Sequence, residues 1–215
     1  MDKELIKRRF ARASTTYSRE ATAQQRVAER LARMVHDYVP GPFHRCVWEV
    51  GCGTGLFTKA YLQLDRPEEM WLNDICPEME AVLASILSRN IYFQAADAEY
   101  VAAPRNVSLI VSCSALQWFD SPLNFLQRCY KALLPHGYMS IATFGQENLS
   151  EIRSLTGSGL TYKTVEEWRK DLSDLGFSVL QAREEKITVL ILRKISSGHF
   201  TLHVVWAWMF VAEAS

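Results

Sequence analysis

The run Glu49-Val50-Gly51-Cys52-Gly53-Thr54-Gly55 sets an acidic residue two places ahead of three alternating glycines. Glycine has no Cβ, so a turn of this kind lets backbone N–H groups and the start of the following helix come close to a bound molecule. Two common ligands are excluded by spacing. A dinucleotide fingerprint needs its third glycine at position 56, which is Leu56, and a phosphate-binding loop needs a Lys-Ser or Lys-Thr pair that does not follow. A plain glycine turn with a capping Glu stays open for the loop alone. Two further carboxylates stand at comparable places. Asp74 ends a second β-like run, where its oxygens can accept both hydroxyls of a ribose, and Asp97 ends a third in Gln94-Ala95-Ala96-Asp97-Ala98-Glu99. Each alone is as ordinary as a helix cap or turn residue. Three acidic residues at three consecutive strand ends open on one crevice of a doubly wound sheet.

The elements that must position them follow from apolar periodicity. Short β-like runs at Cys46–Val50, Met70–Asn73, Ile91–Gln94, Val107–Ser112 and Tyr138–Phe144 alternate with helical segments at Gly55–Leu64, Pro77–Ser88 and Pro122–Leu133. Pro77 and Pro122 would open their helices at the position where a missing N–H does no harm. This alternation predicts an α/β fold, a doubly wound and mostly parallel sheet with helices on both faces. Ahead of it, Val27, Leu31, Met34, Val35 and Tyr38 line one face of a helix over residues 18–38, stopped by Pro40-Gly41-Pro42. Behind it, residues 165–175 read as a helix closed by Gly176, followed by a β-rich stretch from Phe177 to Lys194.

A chain of 215 residues suits one domain. The division implied by the family resemblance given below is a helical lid at 1–40, a cofactor-binding core at 43–145, a substrate-side segment at 146–185 and a divergent C-terminus at 186–215. Lys plus Arg number 24 and Asp plus Glu 24, so no overall field steers the chain toward nucleic acid or membrane, and a charged partner must be met by a local patch. Cys46, Cys52, Cys76, Cys113 and Cys129 lack metal-ligand spacing, and with no apolar signal core the expectation is a reduced, metal-free, cytoplasmic protein.

The glycine loop with its acidic neighbour resembles that of class I S-adenosylmethionine-dependent methyltransferases. The resemblance implies a Rossmann-like fold and S-adenosyl-L-methionine as cofactor. It places Glu49 near the cationic aminoacyl group and Asp97 on the adenine amino group, with the Ala98 N–H on a ring nitrogen. Coulomb attraction between a sheltered carboxylate and a sulfonium or ammonium agrees with this. Leu134-Pro135-His136-Gly137-Tyr138 resembles the turn that feeds the family's fifth strand, with His136 replacing a glycine.

One branch is matched more closely. Phe10-Ala11-Arg12-Ala13-Ser14-Thr15-Thr16-Tyr17, then Gln24-Gln25, resembles the N-terminal lid of the malonyl-acyl-carrier-protein O-methyltransferases of biotin synthesis. So do Asn73-Asp74-Ile75-Cys76-Pro77-Glu78-Met79, Ser114-Ala115-Leu116-Gln117-Trp118-Phe119 and the segment from Glu151 to Tyr162. The resemblance implies cofactor contacts from Tyr17, Gln25, Glu49, Gly51, Cys52, Gly53, Gly55, Asn73, Asp74, Ile75, Met79, Asp97, Ala98 and Ser112. A buried substrate carboxylate calls for a bidentate arginine, and Arg153 is the candidate, with Tyr17 as a hydrogen-bond donor and Trp118 lining the acceptor pocket. Lys3, Lys7, Arg8, Arg9 and Arg12 are dense near the N-terminus, and Lys7, Arg8, Arg9 and Arg12 form a candidate docking patch for malonyl-acyl carrier protein, which is acidic. The alternatives are a methyltransferase for another small acceptor, or a non-catalytic protein that binds S-adenosylmethionine. Beyond about Lys186 the resemblance deteriorates. The aromatic end at Trp206, Trp208 and Phe210 reads as a truncated or frame-altered tail, removable after Lys194.

Overall fold

The computed structural model describes residue 3 and residues 21–145, 163–191 and 201–214. Its strands are β1 (Cys46–Val50), β2 (Glu69–Asp74), β3 (Ile91–Ala95), β4 (Leu109–Cys113), β5 (Tyr138–Phe144), β6 (Phe177–Ile191) and β7 (Thr201–Ala214). They form one sheet in the order β3-β2-β1-β4-β5-β7-β6, with the first five parallel and β7 antiparallel to both of its neighbours. From β1 the chain winds outward to β2 and β3, then returns to β4 and winds the other way. The switch point therefore lies between the C-terminal ends of β1 and β4, where open α/β sheets bind ligands.

The helices are α1 (Ala21–Tyr38), α2 (Leu56–Tyr61), α3 (Met79–Leu83), α4 (Pro122–Ala132) and α5 (Val165–Asp174). Strand β1 is buried at all five positions because both faces of the sheet are covered. Val47 packs into the cluster holding α1, α2 and α3, whereas Cys46, Trp48 and Val50 pack into the cluster holding α4 and α5. By the same alternation Glu49 faces the α1–α2 side.

The second crossover helix departs from its expected span of Pro77–Ser88, and the N-terminal helix joins the core over the described residues. Val27, Leu31 and Val35 are fully buried, and α1 packs on the sheet beside α2. The second crossover helix is one short turn starting at Met79. Pro77 sits in the turn before it, because the Cys76 carbonyl accepts the Met79 N–H and the Pro77 carbonyl accepts the Glu80 N–H. Pro122 does occupy the first turn of α4. The C-terminus packs into the sheet. Residues 201–214 form β7, inserted between β5 and β6, and Ala207, Met209, Phe210, Val211, Ala212 and Ala214 are all buried. Past the last β5 register, Phe144↔Ala207, β6 and β7 continue as a two-stranded ribbon to Ile191↔Thr201.

Helix α5 starts at a capping box, Thr164 with Glu167, and anchors Trp168 and Leu172 in the core. Gly176 follows at φ +100, and a Cβ there would lie 2.8 Å from the Tyr130 ring.

Candidate active site

The three alternating glycines all have positive φ: +71 at Gly51, +51 at Gly53 and +75 at Gly55. That backbone lets the chain leave β1, fold over the end of β2 and enter α2 within a few residues. The loop's amides are largely consumed in holding this shape. Gly51 and Cys52 N–H both donate to the Asn73 carbonyl, at 2.8 and 2.9 Å, and Gly55 N–H donates to the Cys52 carbonyl at 2.9 Å. Gly53 N–H donates to Asp74 Oδ2 at 2.8 Å. The expectation that these amides face a ligand is corrected for those four positions: the turn supplies room, and the carboxylates supply the polar chemistry. A cationic ligand wants acceptors, so this division is physically consistent.

The room is measurable. A Cβ on Gly51 would lie 2.3 Å from Ala115 Cβ, on the opposite wall of the switch point. Gly51→Ala is expected to lower affinity for S-adenosylhomocysteine by about tenfold, since one wall must move and the backbone conformation is disfavoured. Adding Ala115→Gly should recover part of that loss by removing the clash while leaving the φ strain. Calorimetric titration of both variants checks this.

The cleft so formed has about 1270 Å³ of empty space, counting its open mouth. Glu49, Asp74 and Asp97 all line it, with Gly51, Cys52, Gly53, Asn73, Ile75, Met79, Ala98 and Trp118. Glu49 is 1% exposed and accepts the Thr58 hydroxyl at 2.6 Å. Burial pushes its carboxyl up to about 8, against the opposing Thr58 hydrogen bond and with help from the charge of Asp74. Burial also raises Asp74, although backbone N–H donors from Cys76 (2.9 Å) and Gly53 pull the other way. Asp97 Oδ1 accepts the Glu99 N–H at 3.0 Å. Among the described residues Lys3 is the sole basic side chain in the lining, and it stands at the Asp97 end.

Asn73 reaches the cleft, yet its Nδ2 donates to the carbonyls of Gln94 and Ala96, at 3.2 and 3.0 Å, tying the end of β2 to the loop after β3. Other expected contacts lie elsewhere. The Ser112 hydroxyl is fully buried and donates to the Val50 carbonyl at 3.2 Å. Gly55 faces Leu83 and Ile86. Gln25 is exposed and donates to Glu29, while its neighbour Gln24 lines the cleft one helical step round. Tyr17, Arg153 and the patch Lys7, Arg8, Arg9 and Arg12 lie outside the described residues.

Lining residues that sequence reasoning passed over include Lys3, Phe57, Cys113, Ser114 and Phe119. Ser114 follows β4 with φ +60, a conformation rare for a side-chain-bearing residue and common at binding sites. Burial raises the thiols of Cys52 and Cys113, the latter to about 12, and the charge of Glu49 reinforces both. Held protonated, those two are poor nucleophiles beside an alkylating cofactor.

The donor set fits S-adenosylmethionine. Among the described residues no basic side chain lines the cleft beside buried Glu49, which suits a sulfonium and an ammonium, while Asp74 suits ribose hydroxyls and the Asp97 end a neutral base. No metal-holding group of three or more His, Cys, Asp or Glu occurs among the described residues.

Comparison with known proteins agrees. Residues 48–141 match the family model for a methyltransferase domain. A malonyl-[acyl-carrier protein] O-methyltransferase of Bacteroides thetaiotaomicron is 44% identical over 188 residues, covering 87% of this chain and 71% of that protein. That of Haemophilus influenzae is 35% identical over 188 residues, covering 87% of this chain and 71% of that protein. Among solved structures, the Burkholderia thailandensis 1,6-didemethyltoxoflavin-N1-methyltransferase, with bound 1,6-didemethyltoxoflavin and S-adenosylhomocysteine, superposes with a TM-score of 0.66 at 16% identity, covering 99% of this chain and 88% of that one. The [4+2]-cyclase SpnF superposes at 0.63 and 16% identity, covering 86% and 80%. Fold alone therefore does not fix the reaction. Identity over most of both chains does fix the kinship: the chain belongs to the malonyl-[acyl-carrier protein] O-methyltransferase family of class I S-adenosylmethionine-dependent methyltransferases.

Proposed function

We propose that this protein transfers a methyl group from S-adenosyl-L-methionine to the free carboxylate of a malonyl thioester carried on acyl carrier protein, an early step of biotin synthesis. The observation that carries the reading is the kinship over nearly the whole chain with relatives of that printed name, at 32–44% identity. The acidic cleft at the switch point is where the chemistry belongs.

When bound, the cofactor supplies a methyl carbon on a cationic sulfur, so that an O–C bond forms as the C–S bond breaks and the electron pair leaves on a neutral thioether. The chain need not move a proton, because a malonyl carboxylate with an ordinary pKa near ~4 is already ionised at neutral pH. Its tasks are alignment and exclusion of water. Glu49 holds the cationic end, Asp74 accepts the ribose hydroxyls, Asp97 and the Ala98 amide hold the base, and Trp118 with Phe119 walls the cleft on the acceptor side. Arg153 grips the substrate carboxylate through its planar fork, and Tyr17 adds a hydrogen bond. The patch at Lys7, Arg8, Arg9 and Arg12 receives the acidic carrier. Among the described residues no helix is long and apolar enough to cross a membrane, and the reading includes a cytoplasmic location.

The test is incubation with methyl-labelled S-adenosylmethionine and malonyl-acyl carrier protein. Labelled methyl ester on the carrier is the expected product. Label only on other small acceptors, or cofactor binding without transfer, overturns the reading. In the same assay Arg153→Ala should lower kcat/KM by about thirtyfold, with cofactor affinity within about twofold, because it removes a charge-assisted pair made to the acceptor alone.

A further inference from the structure

The adenine-side corner of the cleft is organised by a residue far away in sequence. Lys3 Nζ lies 2.7 Å from Asp97 Oδ2, 2.5 Å from Glu99 Oε2 and 3.7 Å from Asp120 Oδ2, and stands over the Tyr100 ring at 5.2 Å from its centroid. The Glu99 carboxylate is 6% exposed and also accepts the N–H groups of Asp120 (3.0 Å) and Ser121 (2.7 Å), the latter the residue that precedes α4. One ammonium thus joins the loop after β3, which carries Asp97 and Ala98, to the turn after β4, which carries Trp118 and Phe119. Burial works against this ammonium, but the hydrogen bonds and charges of Asp97 and Glu99 outweigh it and raise its pKa above the ordinary lysine value.

We propose that Lys3 is a positioning residue for the nucleoside end of the cofactor, holding Asp97 turned into the cleft and offsetting one of the two negative charges of the Asp97–Glu99 pair. The inference rests on the reading of the cleft as an S-adenosylmethionine site. A carboxylate offers about four acceptor positions; the Glu99 N–H and Lys3 take two on Asp97 and leave the others for an adenine amino group. Without the ammonium, Asp97 and Glu99 would repel each other and would attract the cofactor's cationic end. With it, one of the charges at the Asp97 end has a counter-ion, whereas among the described residues no basic side chain lines the Glu49–Asp74 end, so the charge pattern of the cleft favours one orientation of a molecule that is cationic at one end and neutral at the other.

The experiment titrates the full-length protein, Lys3→Met and Lys3→Arg with S-adenosylhomocysteine and with 5′-methylthioadenosine, which keeps the nucleoside and lacks the aminoacyl group. Lys3→Met should weaken both ligands by the same factor, about tenfold, since the loss lies at the end they share. Lys3→Arg should retain most of the affinity. Raising salt from ~0.05 to ~0.5 M should weaken 5′-methylthioadenosine binding to the wild type and leave that of Lys3→Met nearly unchanged. Affinities of Lys3→Met within twofold of the wild type, tighter binding, or loss confined to S-adenosylhomocysteine would each overturn the proposal. If the wild type binds neither ligand, the cofactor reading itself fails and takes this inference with it.

Discussion

Glu49→Gln should lower affinity for S-adenosylmethionine by about a hundredfold near neutral pH, while leaving 5′-methylthioadenosine within about twofold. The substitution keeps the shape and the oxygen that accepts the Thr58 hydroxyl, and removes only the charge. In the ligand-free protein burial raises the Glu49 carboxyl to about 8, so over the neutral range it is mostly protonated and faces a cation only after losing that proton. Wild-type affinity for S-adenosylmethionine should therefore climb as pH rises, by up to about tenfold per unit between ~5.5 and ~7, with a proton released on binding, and the Gln variant should show a flat profile. Calorimetry in two buffers of different ionisation enthalpy reads both affinity and proton release. A sloping profile that survives Glu49→Gln would place the titrating group elsewhere.

The same shift has a consequence for the ligand-free fold, and its sign differs from that of a salt-bridged acid. The unfolded chain ionises this carboxyl near 4.5 and the native protein only near 8, so between those values the native state holds the extra proton. Stability then falls as pH rises through that window, by up to roughly 1.4 kcal/mol per unit from this one group. Glu49→Gln should flatten that decline and leave the ligand-free protein more stable at the alkaline end, in the same variant that binds cofactor poorly. Stability and function oppose each other at Glu49 because the cleft is built for a charge that arrives with the ligand.

The parts of the site legible in the sequence were those set by local chemistry. The strands β1 and β5 have the bounds the sequence implies because they are apolar runs cut off by glycine and proline turns, and the ends of β1, β2 and β3 bring Glu49, Asp74 and Asp97 to one crevice, as their spacing implies. Helix lengths are less legible. The segment after Asp74 has helical periodicity to Ser88, yet turn hydrogen bonds around Cys76 and an antiparallel bridge from Ser88 to Ile91 leave only Met79–Leu83 as α-helix. The roles of amides and hydroxyls were not legible either. Whether the Gly53 N–H faces a ligand or Asp74, and whether Ser112 opens on the cleft or bonds to Val50, depends on the register of neighbouring strands. Lys3 was out of reach for the same reason: nothing local to residue 3 announces a partner at residue 97.

Removing everything after Lys194 should give insoluble protein, and the reason is topological. Strand β7 lies between β5 and β6, so deletion strips β6 of its sheet partner and bares the edge of β5 from Tyr138 to Phe144. It also uncovers both faces at once. Met209 and Val211 pack with α1 in one cluster, whereas Phe210, Ala212 and Ala214 pack with α4 and α5 in the other. A strand buried on both sides shows a continuous apolar run without polar alternation, and from sequence alone such a run reads like a sticky, dispensable tail. A milder probe separates core loss from edge exposure. Phe210→Ala keeps the ladder, including the Phe210 carbonyl that accepts the Ser140 hydroxyl at 3.1 Å, and removes a ring that is 1% exposed. It should lower unfolding free energy by about 3–5 kcal/mol in denaturant titration while the protein stays soluble. A soluble deletion variant with the melting temperature of the full chain would show instead that β5 tolerates a free edge and that the core closes without β7.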